Sequence, residues 1–163
     1  MATQRQRRRT PRPERTAAES ASEMVQVVLP NDTNPLGNVL GGRVMHWIDL
    51  VGAIVAYRHC HLPVVTASME RLDFHHPIRL GQIAVLKAFL IYVGRTSMEV
   101  MVEVYTDDPP TGTRKSTSTA RITYVAIDAK GRPTAVPALR VVSEEERRCY
   151  DDAKRRREAE GRA

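Results

Sequence analysis

The sequence predicts an α+β fold in which an antiparallel β-sheet wraps around one long central helix. Three observations carry that prediction. Val44 to Tyr57 repeats apolar side chains at helical spacing. After Leu62-Pro63 the repeat shifts towards two and β-branched residues dominate. Strong turn signals then separate the extended runs, so that neighbouring strands pair antiparallel. A chain of 163 residues that is 42% hydrophobic suits one globular core and leaves little room for two.

In chain order, residues 1–22 are polar, charged and aperiodic, and are expected to form a disordered Arg-rich tail. Met24 to Leu29 is a short β-branched run closed by Pro30, a first strand. Asn31 to Gly42 (NDTNPLGNVLGG) is dense in turn formers and reads as a loop. In the helix, Val44, Ile48, Val51 and Val55 fall at i, i+4, i+7 and i+11, with Met45, Trp47 and Ile54 beside them. A helix apolar nearly all round is an enclosed one. Val64 to Phe74 alternates in part, and Pro77 and Gly81 mark a turn. Ile83 to Val93 is a long strand ended by Gly94-Arg95. From Ser97 to Tyr105, Met98, Val100, Val102 and Val104 share one face, and Glu99 and Glu103 take the other. Asp107 to Gly112 is a turn, Thr113 to Ile127 a further strand, and Asp128 to Pro133 a last turn. Residues 23–142 thus form a single domain, and residues 143–163 a charged helix or tail. An enclosed helix inside a curled sheet is the hotdog architecture.

The net charge of +6 belongs almost entirely to the N-terminal tail. Residues 1–16 hold six Arg against Glu14 alone, whereas residues 17–143 carry 12 basic and 11 acidic side chains. A near-neutral body argues against nucleic acid as a partner, although the tail suits any polyanion. The tail has no apolar face for a presequence, and no apolar segment follows it to make a secretory signal. No apolar run approaches the roughly 20 residues needed to cross a bilayer. Cys60 and Cys149 stand alone, which fits a reducing cytoplasm and suggests neither zinc nor dithiol chemistry.

Asp49 is the lone carboxylate of a helix otherwise built for burial, and Gly52, Ala53 and Ala56 share its face. It needs a partner, in a loop or in Arg43 or Arg58, or else a functional reason. Gly41 and Gly42 open the helix, where free N–H groups and the positive dipole end suit an oxyanion. Asp49 lies seven residues beyond Gly42, about 10 Å along the axis. One carbonyl cannot meet both on one helix, so the acid should come from a second, antiparallel subunit. The glycine-rich loop is neither a P-loop nor a dinucleotide fingerprint, and no G-x-S-x-G elbow occurs. His75-His76 lacks a third ligand at metal spacing and reads as a strand-end pair, so no metal is expected. Gly94-Arg95-Thr96-Ser97 is a hairpin turn whose Arg and hydroxyls also suit a phosphate.

The run N-P-x-G-N-x-x-G-G-x-x-M-x-W-I-D, Asn34 to Asp49, resembles the acyl-CoA hydrolase family of hotdog thioesterases. So do Val65-Thr66-Ala67-Ser68, Phe74 with Pro77 and Gly81, Val93 to Met98, Gly112-x-Arg114, Val125 to Asp128 and Gly131-Arg132-Pro133. The similarity runs from about Val25 to Pro137. It implies hydrolysis of fatty acyl-CoA to free acid and CoA, with Asp49 as general base or nucleophile. It implies that Asn38 orients water or substrate and that Gly42, with Gly41, polarises the carbonyl. Gly94, Arg95, Thr96 and Ser97, with Thr66 and more weakly Arg114 and Lys115, are implied to hold CoA. No cofactor beyond the CoA of the substrate is implied, and the minimal unit is a cytoplasmic homodimer within a tetramer or hexamer. His46, three residues before Asp49, keeps open a dehydratase acting on hydroxyacyl thioesters. A non-catalytic acyl-CoA-binding protein is the further alternative.

Overall fold

The computed structural model describes residues 12–161. Its elements in chain order are β1 (Glu14–Thr16), β2 (Ser22–Val27), α1 (Gly41–Cys60), β3 (Val64–Phe74), β4 (Ile83–Val93), β5 (Ser97–Asp108), β6 (Thr113–Ala126), β7 (Ala138–Arg140) and α2 (Glu144–Ala159). Strands β2 to β6 form one antiparallel sheet in the order β2-β4-β5-β6-β3. Its inner face, with Leu86, Leu90, Met98, Val100, Val102 and Ile122, packs on Val44, Trp47, Ile48, Val51 and Val55 of α1. This is the hotdog fold. The helix ends where His61 turns left-handed, at φ 54°, and donates its N–H to Tyr57 O at 2.7 Å. Among the described residues no helix is long and apolar enough to cross a membrane.

The strand runs lie where the periodicity puts them, but one pairing differs. β3 and β4 are consecutive yet do not pair; β3 joins the far edge beside β6. The intervening segment is no hairpin, because it passes over the start of α1. There Ile78 O accepts from Val39 N at 2.8 Å and Gly37 O accepts from Leu80 N at 3.0 Å. The register of β3 also slips twice, between Thr66 and Ser68 and between Glu70 and Asp73, which explains its broken alternation.

The expected disordered tail requires correction from residue 12 onward; residues 1–11 lie outside the described ones. β1 pairs in parallel with β7, and Arg12 Nη2 donates to Gly94 O at 2.8 Å and Pro137 O at 3.3 Å. Glu19 caps the following turn by accepting from Thr16 N at 2.6 Å. Strands of three residues are too short to leave a periodic trace. At the other end, the charged segment is a helix. Ser143 caps α2, its hydroxyl accepting from Glu146 N at 3.1 Å, with acids in the first turn and Arg156 and Arg157 in the last. It covers the outer face of the sheet, so Glu99 faces outward as its alternation requires yet is buried. Arg156 pairs with it at 2.9 Å.

The helix itself is enclosed on one side only. The sheet buries Val44, Trp47, Ile48, Val51 and Val55, while Met45, Leu50, Ile54 and Tyr57 stay exposed on the side it leaves open. Five strands curl far enough to cover half of an all-round apolar helix, and no further.

Candidate active site

Asp49 is half-buried, between the covered and open sides of α1. Its carboxylate is held by hydroxyls. Thr66 Oγ1, on β3, donates to Asp49 Oδ1 at 2.7 Å. Tyr124 OH, on β6, donates to the Asp49 carbonyl oxygen at 2.8 Å and lies 3.3 Å from Oδ1. Neither suspected cation is involved. Arg43 pairs with Asp32 at 3.0 Å, and Arg58 donates to Ser22 Oγ at 2.9 Å. The carboxylate is therefore held by hydroxyls, and among the described residues no cation pairs with it. Within the protomer it is hydrogen-bonded by Thr66 and Tyr124 and not by His46.

Tyr124 sits near the end of the Thr-rich strand β6 and is one of the largest fully buried side chains. Burial above all, then the Asp49 charge and the hydrogen bond to Asp49, pushes its phenol far above the ordinary range, so it remains a donor. The space beside Asp49 that small residues imply is also accounted for. A Cβ on Gly52 would collide with the Tyr124 hydroxyl and sit 3.0 Å from its ring carbons. Gly52 makes room for this tyrosine rather than for a ligand.

The other predicted residues fall elsewhere in the protomer. Asn38 and Gly41 line a cleft of about 300 Å³ at the α1 N-terminus, with Val44, Phe74, His75 and His76. The first α1 hydrogen bonds run from Arg43 N and Val44 N to Leu40 O, so the Gly41 and Gly42 N–H groups precede the ladder. A Cβ on Gly42 would meet nothing within 4 Å, so packing inside the protomer does not demand this glycine. Asp49 and Thr66 are not among the residues that line that cleft. Asn34 closes the preceding loop, its Oδ1 accepting from Leu36 N at 3.0 Å and Asn38 N at 3.2 Å.

The Gly94–Ser97 turn is a hairpin, Gly94 N donating to Ser97 O at 2.8 Å, and the polar groups of Gly94 and Ser97 are already engaged. Arg12 takes the Gly94 carbonyl and Arg157 Nη2 donates to Ser97 Oγ at 3.0 Å, leaving Arg95 exposed. Arg114 is committed to Asp107, facing it across β5 and β6 with Nε to Oδ1 at 2.6 Å and Nη2 to Oδ2 at 2.8 Å. Lys115 lines a separate cleft. Thr66, expected among the CoA contacts, instead belongs to the Asp49 cluster.

A hotdog sheet, a fixed carboxylate on the central helix and two glycines at that helix's start define the class. The chain belongs to the thioesterase superfamily, whose model matches residues 36–113. It is 37% identical over 142 residues to an uncharacterized acyl-CoA thioester hydrolase of Bacillus subtilis, covering 87% of this chain and 83% of that one. It spans only 38% of the length of the cytosolic acyl coenzyme A thioester hydrolase of Rattus norvegicus, at 34% identity. The structure resembles an apo-hexameric acyl-CoA thioesterase with a TM-score of 0.86 and 38% identity, over 90% of this chain and 94% of that one. It resembles the Staphylococcus aureus acyl-CoA hydrolase, solved with butyryl-CoA, CoA and CoA disulfide, with a TM-score of 0.84 and 35% identity over 91% of each chain. That enzyme has also been solved with an aspartate, an asparagine or a threonine replaced by alanine.

Proposed function

We propose that this chain hydrolyses acyl-CoA thioesters to the free acid and CoA. The observation that carries the reading is the Asp49 carboxylate, oriented by Thr66 and Tyr124 and, among the described residues, paired with no cation, beside an uncovered apolar helix face. Asp49 takes a proton from water as the water oxygen attacks the thioester carbonyl. The carbonyl oxygen becomes an oxyanion facing the first N–H groups of a helix, those of Gly41 and Gly42. Collapse of the tetrahedral intermediate reforms the carbonyl and breaks the C–S bond, and the thiolate of CoA leaves with the proton that Asp49 received. Water and side chains suffice for these steps, and no cofactor enters them.

Spacing in the S. aureus relative supports the assignment. Its substituted threonine follows the aspartate by 17 residues and its asparagine precedes it by 15. Here Thr66 follows Asp49 by 17 residues and Asn34 precedes it by 15, which favours Asn34 over Asn38 as the functional asparagine. The exposed Met45, Leu50, Ile54 and Tyr57, and the distance along α1, both favour a second copy packed antiparallel on this face. Each site then joins Asp49 of one protomer to the α1 N-terminus of the other. Between tetramer and hexamer, the hexameric relative favours the hexamer. A cytosolic location accords with the cytosolic relative.

The test is thiol release from a panel of acyl-CoAs by the wild type and Asp49→Asn. We expect at least ~100-fold loss of kcat, the usual effect of removing a general base. Unchanged turnover by the variant would remove Asp49 from the mechanism.

A further inference from the structure

His46 is the one α1 histidine that a single protomer leaves unused. It is exposed on the open side of the helix, and among the described residues its ring has no hydrogen-bond or ion-pair partner. The arginines of α1 are occupied, Arg43 with Asp32 and Arg58 with Ser22. His59 and His61 are occupied as well, with Pro137 O and Arg15. Gly42, His46 and Asp49 stand at i, i+4 and i+7, so the three share one face of the helix.

The register of the antiparallel pair fixes where this imidazole goes. With Asp49 of one copy level with Gly42 of the other, the two-fold axis crosses α1 midway, between Met45 and His46. His46 then lies about 6 Å along the axis from its own Gly42, at ~1.5 Å per residue. That level also holds Asp49 of the partner subunit. Helical side chains lean back towards the N-terminus and cover the preceding turn, so the His46 ring overhangs Gly42. It leans away from Asp49 of its own helix, in keeping with the absence of a bond between them in the protomer. One copy therefore brings His46 and the helix N–H groups to each site, and the other brings Asp49 with Thr66.

We propose that His46 relays a proton from the partner's Asp49 to the sulfur of the leaving thiol. The inference rests on the thioesterase reading and on its antiparallel dimer. Water gives a proton to Asp49 as its oxygen bonds to the carbonyl carbon. When the C–S bond breaks, its electron pair stays on sulfur. One ring nitrogen of His46 passes its proton to that sulfur, while the other takes the proton held by the Asp49 carboxyl. The carboxylate is restored and the ring ends neutral, as it began.

The experiment compares two butyryl thioesters, one of CoA and one of 4-nitrothiophenol, whose far more acidic thiol leaves without needing a proton. In the full chain, His46→Gln is expected to lower kcat for butyryl-CoA at least about tenfold more than for the nitrothiophenyl ester. Equal loss on both esters would mark a merely structural role, and no loss on either would mark none; both outcomes overturn the proposal. The partner's involvement is read by mixing His46→Gln with Asp49→Asn, with subunit exchange verified by mass spectrometry. In a mixed dimer one site regains both wild-type groups, so thiol release from butyryl-CoA should exceed that of either variant alone. A mixture no more active than the mean of its parents would place both groups in one protomer and overturn the relay. Wild-type turnover of butyryl-CoA judges the thioesterase reading by itself, since the relay is read from the ratio between the two esters.

Discussion

Gly52 and Tyr124 are in such close contact that a single methyl group separates the native arrangement from a broken one. Gly52→Ala would drive the new Cβ into the phenol, which hydrogen-bonds Asp49 twice from the sheet side. We expect a loss of about 1–3 kcal/mol of stability from overpacking, together with a fall in kcat as the carboxylate loses its anchor. Thermal denaturation and thiol release measured on the same preparation check both. A variant with normal turnover would show that Tyr124 does not position the acid. At this scale the sequence was partly legible. Asp49 stood out because a carboxylate is conspicuous in an apolar helix. Tyr124 did not, because a buried tyrosine in a strand looks like any core aromatic until its hydroxyl's partner is known. Asn34 and Asn38 stand in one turn-rich loop, and composition does not separate them.

The elements show where periodicity informs and where it is silent. α1 and β4 to β6 are long enough for their repeats to be read directly. β1 and β7, of three residues each, leave no such repeat, although they strap the C-terminal end of α1 to the rest of the fold. His59 is the tie. It is fully buried near the end of α1; its Nε2 donates to Pro137 O at 3.0 Å, and its Nδ1 is buried with no hydrogen-bond partner among the described residues. Burial lowers its affinity for a proton most. The Arg15 and Arg12 charges act in the same direction, against the Pro137 carbonyl and Glu19. A histidine held below its unfolded value stabilises the fold above about pH 6.5 and loses that contribution as pH falls through the lowered value. We expect the Tm to decline on acidification from neutrality, and His59→Gln, less stable at neutral pH, to show a shallower decline. Parallel Tm–pH curves for the two proteins would contradict this.

For the whole molecule, the open side of α1 decides the argument. Within one protomer Asp49 does not line the cleft at the α1 N-terminus. An antiparallel dimer would bring the two together. Gly42→Pro deletes an N–H yet suits the first turn of a helix, and Asp49→Asn deletes the base, so each homodimer is expected to be nearly inactive. After subunit exchange at equal amounts, about a quarter of the sites should regain both wild-type halves if pairing is random. Thiol release should rise accordingly. Failure of the mixture to recover, with exchange verified by mass spectrometry, would place both groups in one protomer. The pairing of β3 with β6 belongs to this scale as well. Local turn signals could not reveal it, because the chain between β3 and β4 packs on the loop leading into α1 instead of closing a hairpin.

Trp47 gives the molecule a built-in optical reporter. It is the only indole among 163 residues, 5% exposed and two positions from Asp49. Its emission therefore arises from a single, known place in the core. A red shift reports unfolding of the central helix without any introduced dye, and quenching by an occupant of the neighbouring site would appear as a change in brightness rather than in colour.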